Sequence, residues 1–67
     1  METDMELQPT LTVDDATRIY PQTVRVFNTF GIDARQAGAA SIADAARRDG
    51  VEPERLMRAL RRSVLPR

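Results

Sequence analysis

The sequence predicts an all-α fold, a compact bundle of four short helices arranged as two packed helix–turn–helix hairpins. Apolar residues recur at three- and four-residue spacing in four short segments. A Thr, Ser or Pro suited to a helix start stands at the beginning of each segment, and a glycine follows two of them. Because the chain has 67 residues and three aromatic side chains, we expect a thin core.

The first hairpin is predicted over residues 13–30. Thr12 suits the N-cap of a first helix over 13–20. Pro21 ends that helix, because the residue before a proline disfavours the helical conformation. The same proline suits the first turn of a second helix over 21–30, and Gly31 is predicted as its left-handed C-terminal cap.

The second hairpin repeats this design. Ser41 is the predicted N-cap of a third helix over 42–49, and Gly50 is predicted to close it. Pro53 opens the fourth helix, which we expect to fray before Pro66.

Residues 1–9 are acidic and lack periodicity, so we predict a disordered acidic tail followed by a single helical domain over 10–65. Residues 33–40 carry no large apolar side chain and are predicted as a loop or a loosely helical turn. Segments 12–18 and 41–47 resemble each other, which fits either an internal duplication or shared capping chemistry. The predicted core comprises Leu11, Val13, Ala16, Ile19, Val24, Phe27, Phe30, Ile32, Ile42, Ala45, Val51, Leu56 and Leu60.

Composition excludes several kinds of chemistry. The sequence has no Cys and no His, which excludes disulfides, thiol redox chemistry, zinc fingers and histidine-based acid–base catalysis. We therefore expect no enzyme activity, no cofactor and no metal. No apolar run approaches the ~20 residues that span a bilayer, and no signal peptide is visible. We expect no membrane partner and a cytoplasmic location.

Charge is distributed unevenly along the chain. Residues 1–33 hold six acids and two arginines, whereas residues 34–67 hold four acids and eight arginines. The spacing places Arg55, Arg58 and Arg62 on one face of the fourth helix, with Arg61 beside them. Such a stripe fits either phosphate contacts in a nucleic-acid-binding protein or a solvated face that complements the helix dipole.

One stretch of the chain resembles a known bacterial domain. The run Tyr-Pro-Gln-Thr-Val-Arg-Val-Phe-Asn-Thr-Phe-Gly-Ile-Asp occupies residues 20–33; Ser-Ile-Ala-Asp-Ala-Ala follows at 41–46 and Gly-Val-Glu-Pro-Glu at 50–54. This pattern resembles the small N-terminal domain of the ScdA/YtfE-type di-iron proteins, which repair iron–sulfur clusters. The resemblance covers roughly residues 10–62. It implies a small helical domain and a setting in cluster repair or in the response to nitrosative or oxidative stress.

The chain departs from that family at its reactive residues. The family's cysteine pair falls on Arg35 and Gln36, which have no thiol chemistry, and its di-iron centre lies in a separate domain. We therefore expect a non-catalytic docking or self-association module, whose partner is another protein or a second copy of this chain. Candidate contact residues are Arg35, Gln36, Tyr20 and Met57, of which Tyr20 and Met57 fit the core equally well.

The sequence also fits two functions other than docking. The first is nucleic-acid binding through Arg55, Arg58, Arg61 and Arg62. The second, with a weaker signal, is an anion site where Arg35, Gln36 and Gly38 precede the helix that follows Ser41, since a helix N-terminus offers backbone N–H donors.

Overall fold

The computed structural model describes residues 7–65, and within this range the chain forms helices and no strand, which confirms the all-α class. The helices are α1 (Val13–Ile19), α2 (Thr23–Thr29), α3 (Ile42–Arg48) and α4 (Pro53–Val64). In the first hairpin α1 packs against α2, and in the second α3 packs against α4. The contact between α2 and α4 joins the two hairpins.

A reciprocal backbone pairing also joins the hairpins where α1 and α3 begin. Thr12 and Ser41, the two N-caps, form an isolated antiparallel bridge. The amide that follows each cap donates to the carbonyl that precedes the other, at 2.9 Å from Val13 and 2.8 Å from Ile42. The first amides of a helix have no acceptor within that helix. Here the residue before each N-cap supplies an acceptor for the first amide of the other helix.

The pairing continues one residue further in both directions. Asp14 donates its amide to the carbonyl of Gly38 at 3.0 Å, and Ala43 donates to Pro9 at 3.1 Å. Every bond of this set recurs after a shift of 29 residues, from 9 to 38 and from 14 to 43. The hydrogen bonds thus follow a two-fold pattern, and the sequence echo between 12–18 and 41–47 has a structural counterpart.

Side-chain caps complete the equivalence of the two helix starts. The Thr12 hydroxyl accepts the amide of Asp15 at 3.0 Å, and the Ser41 hydroxyl accepts the amide of Asp44 at 3.1 Å. Each aspartate also pairs with the arginine three residues later, Asp15 with Arg18 and Asp44 with Arg47. Both predicted N-caps are confirmed.

Both predicted glycine caps are confirmed as well. Gly31 has φ 78° and Gly50 has φ 73°, a left-handed conformation that costs glycine little. After each glycine the chain folds back, because Ile32 donates its amide to Phe27 at 2.9 Å and Val51 donates to Ala46 at 2.7 Å. These are the long hydrogen bonds of the Schellman motif, and in both cases the returning residue is apolar.

The start of α2 differs from the prediction. The sequence predicts a helix over 21–30, whereas α2 begins at Thr23 and ends at Thr29. Pro21 lies in a turn instead, because the buried Thr23 hydroxyl donates to the carbonyl of Tyr20 at 2.7 Å and holds the chain there. Tyr20 caps α1, which ends at Ile19.

Most of the predicted core is buried, with two errors. Val13, Ala16, Phe27, Ile32, Ile42, Ala45, Leu56 and Leu60 are buried, while Leu11, Phe30 and Val51 are partly buried against them. The prediction is wrong for Ile19 and Val24, which are 44% and 39% exposed. The inward positions of α2 include Thr23 and Phe27, and Val24 lies about 100° around the helix from Thr23.

The core also contains residues that the sequence pattern did not indicate. These are Leu7, Thr23 and Ala37; Ala46 and Met57, for which the helical spacing predicts an inward position, are buried as well. Leu7 is fully buried, so the prediction that residues 1–9 form a disordered tail is wrong at this residue. The first six residues of that predicted tail lie outside the described residues. Pro9 is part of the reciprocal pairing described above.

Candidate functional site

Two hollows that share Val24 and Asn28 lie along the outer side of α2. One hollow extends toward Pro21 and Arg25, and the other extends to Arg35 in the loop after Gly31. We call this region the α2 surface and define it by Pro21, Val24, Arg25, Asn28 and Arg35. It combines exposed apolar side chains with exposed polar ones, a mixture typical of protein-binding surfaces.

Arg35 reaches this surface because a tight loop follows the C-terminal cap of α2. The Arg35 amide donates to the carboxylate of Asp33 at 3.0 Å, and the amide of Ala37 donates to the Asp33 carbonyl at 2.9 Å. Ala37 is buried and anchors the loop in the core, while Arg35 and Gln36 stay exposed. Two of the predicted contact residues, Arg35 and Gln36, are therefore exposed side chains on a hydrogen-bonded loop backbone.

Gln36 does not share the hollow that Arg35 lines. It lines a separate hollow between the loop and the end of α3, together with Asp33, Arg48 and Asp49. Arg35 and Gln36 thus contribute to different parts of the surface. Only Arg35 belongs to the α2 surface.

The other two predicted contact residues lie mainly in the core. Met57 is 3% exposed, so the prediction of an exposed contact at Met57 is wrong. Its position on α4 places it beside buried Leu56 and Leu60, where an apolar thioether packs well. Tyr20 is half-buried and packs against the core, which leaves part of its ring accessible.

Exposed apolar side chains were the feature that sequence reasoning missed. Ile19 ends α1 and Val24 lies in the first turn of α2, so both flank the turn that connects the two helices. The four-residue spacing of Thr23 and Phe27 places both on one face of α2, and this spacing indicates that Thr23 faces inward and Val24 does not. An assignment by hydrophobicity alone gave the inward position to Val24 instead of to Thr23.

The arginines of α4 are exposed, as the helical spacing predicts. Arg58, Arg61 and Arg62 line a groove along this helix, whereas Arg55 lies outside its lining. We call this region the α4 groove and define it by Pro9, Glu54, Met57, Arg58, Arg61, Arg62 and Leu65. Leu65, at 57%, is the most exposed of the large apolar side chains in residues 7–65.

The ion pairs within residues 7–65 lie on α1 and α3. They join Asp15 to Arg18 and Asp44 to Arg47; the side chains of Arg18, Asp44 and Arg47 are largely exposed, and that of Asp15 is partly buried. None of the α4 arginines has a carboxylate partner within this part of the chain. The α4 groove therefore presents a concentration of positive charge to solvent.

The predicted anion site before α3 is not formed. The first amides of α3 already have acceptors: Ile42 donates to Leu11, Ala43 donates to Pro9, and Asp44 donates to its own N-cap hydroxyl. Because the donors that an anion needs are occupied, Arg35, Gln36 and Gly38 do not lead to a phosphate-binding helix start. Gly38 instead accepts the amide of Asp14.

Within residues 7–65, no group of three or more Asp or Glu side chains could hold a metal ion. In the same residues, no helix is both long and apolar enough to cross a membrane. Comparisons of the chain with protein-family models, curated proteins and solved structures found no match.

Proposed function

We propose that this chain is a non-catalytic docking or self-association module that binds protein through its α2 surface. The observation that carries the proposal is the exposure of Val24 in this surface; Ile19, at the end of α1, is exposed as well. A domain with so few large apolar residues gains stability by burying each of them, so two exposed aliphatic side chains on either side of one turn favour a role in binding.

The surroundings of Val24 support the same proposal. Arg25, Asn28 and Arg35 are exposed around it and can donate hydrogen bonds at the rim of an interface. The backbone of Arg35 is held by a hydrogen bond from its amide to the Asp33 carboxylate, so the loop backbone needs no ordering when a partner binds the Arg35 side chain.

The cellular setting is proposed from the family resemblance. Because the motifs at residues 20–33 and 50–54 resemble the ScdA/YtfE-type N-terminal domain, we propose a cytoplasmic role linked to iron–sulfur cluster repair or to nitrosative and oxidative stress. Arg35 and Gln36 replace the cysteines, so this role consists of binding and includes no thiol chemistry.

A photo-crosslinking experiment tests the docking surface. A photoreactive amino acid placed at Val24 is expected to give a protein adduct in the host lysate or with a second copy of the chain. The same group at Arg55, which is exposed on α4, gives none and serves as the matched control. The adduct is then verified with purified components, whose binding we expect Val24→Asp to weaken about tenfold or more. Equal crosslinking from both positions would contradict the proposal.

Nucleic-acid binding through α4 is the second candidate. It is favoured by the exposure of Arg55, Arg58, Arg61 and Arg62 on one helix. In this case the double change Arg58→Ala with Arg62→Ala abolishes nucleic-acid binding, whereas a change in the Arg35 loop leaves nucleic-acid binding intact. The docking proposal instead expects that a change in the Arg35 loop weakens binding of the protein partner and that the double change on α4 leaves it intact. Affinity for nucleic acid would also fall steeply with salt.

A further inference from the structure

The α4 groove combines positive charge with apolar surface in one concave region. Arg61 and Arg62 lie three and four residues after Arg58, so both are neighbours of Arg58 on one side of the helix. Pro9 and Leu65 contribute apolar surface to the same groove.

The charged part of the groove suits carboxylates. A guanidinium group presents parallel N–H donors that match the two oxygens of a carboxylate, and such pairs are stronger than neutral hydrogen bonds. Arg58 and Arg62 lie one helical turn apart, about 6 Å along the axis. Acidic side chains at helical spacing on a partner have a similar separation.

The apolar part of the groove favours a protein segment over a nucleic acid. Leu65 is 57% exposed and Met57 is at the base of the groove, so apolar side chains of a ligand can be buried there. No aromatic side chain that could stack on a base is in the lining. Glu54 lies in the lining as well, and its carboxylate repels phosphates and carboxylates alike, so it does not distinguish the two kinds of ligand.

We propose that the α4 groove binds an acidic protein segment in which apolar side chains alternate with carboxylates at helical spacing. The carboxylates pair with Arg58, Arg61 and Arg62, and the apolar side chains contact Leu65 and Pro9. This surface is separate from the α2 surface and provides the domain with a second binding site. The proposal does not depend on the function of the α2 surface.

Fluorescence anisotropy with three probes tests the proposal. The first probe is a short labelled peptide in which Glu and Leu recur at helical spacing. The second is the same peptide with Gln in place of Glu, and the third is a labelled single-stranded oligonucleotide. We expect the acidic peptide to bind most tightly and its affinity to fall as salt is added.

Variants on α4 identify the surface. The double change Arg58→Gln with Arg61→Gln is expected to weaken peptide binding about tenfold. Arg55→Gln, on the same helix but outside the groove, is expected to change the affinity by less than about twofold. Leu65→Ser is expected to weaken peptide binding about threefold and to leave oligonucleotide binding unchanged.

Three results would overturn the proposal. If Arg55→Gln weakens binding as much as the double change in the groove, attraction by overall charge accounts for it. If the Gln peptide binds as tightly as the Glu peptide, the arginines do not recognise carboxylates. If the oligonucleotide binds more tightly than either peptide and the groove variants lose that binding, the surface belongs to nucleic acid. Val24→Asp separates this test from the docking proposal, because it leaves peptide binding unchanged.

Discussion

Replacement of Phe27 by Ala is expected to unfold the domain. Phe27 is fully buried on the inward face of α2, the helix that packs against both α1 and α4. Its carbonyl accepts the amides of Phe30 and Ile32, so the backbone at this position is held in place. Because that backbone has little freedom to collapse into the vacated space, we expect a cost of about 3–5 kcal/mol. A core of this size provides about 3–5 kcal/mol of net stability, so the variant should be largely unfolded.

Circular dichroism at 222 nm, followed through urea and thermal denaturation, measures this effect. Val24→Ala is the matched control, because it removes an exposed side chain three residues away on the same helix. We expect the control to lower the free energy of unfolding by no more than about 0.5 kcal/mol. A cooperative transition in Phe27→Ala within about 1 kcal/mol of the wild type would refute the conclusion that the buried Phe27 side chain is needed for the fold.

Three further predictions concern the helix ends and the α4 groove. Thr12→Ala and Ser41→Ala should each lower the free energy of unfolding in urea by about 1 kcal/mol, because each removes the acceptor of an N3 amide. If only one of these two substitutions lowered the free energy of unfolding, the two helix starts would not be equivalent. Gly31→Ala and Gly50→Ala should each lower the same free energy by about 1 kcal/mol through backbone strain alone, since an added Cβ meets no atom within 4 Å at either site; an unchanged urea midpoint would refute this. Glu54→Gln should raise acidic-peptide affinity in the anisotropy assay about twofold, because the Glu54 carboxylate lines the groove and repels the carboxylates of the peptide; an unchanged affinity would show that this charge does not act on the groove.

Helix ends could be predicted from the sequence wherever one residue type determines the local backbone. Thr12 and Ser41 have hydroxyls that cap the amide three residues later, and Gly31 and Gly50 adopt a left-handed conformation. These interactions are local, so the sequence alone indicates them. The start of α2 was misplaced because Thr23 is held by a buried hydrogen bond that hydrophobicity does not reveal.

Contacts between segments that are distant in sequence account for the other differences between the predicted and the observed structure. Leu7 precedes the first helix without any periodic pattern, and it is buried because the backbone at Pro9 pairs with the start of α3. The arginines of α4 were predicted correctly as exposed, since helical spacing is enough to place them. The α2 surface was only partly predicted, because Arg35 lies near Val24 through the chain reversal after α2.

The most direct test of the docking account is purification of the chain at low salt without nuclease, with measurement of mass and ultraviolet spectrum. One Tyr and no Trp give weak absorbance at 280 nm, so bound nucleic acid would dominate the spectrum. The account predicts no salt-sensitive peak at 260 nm and a species larger than the monomer, which becomes monomeric in Val24→Asp. A monomer that carries nucleic acid, released by salt and by loss of Arg58 and Arg62, would contradict it.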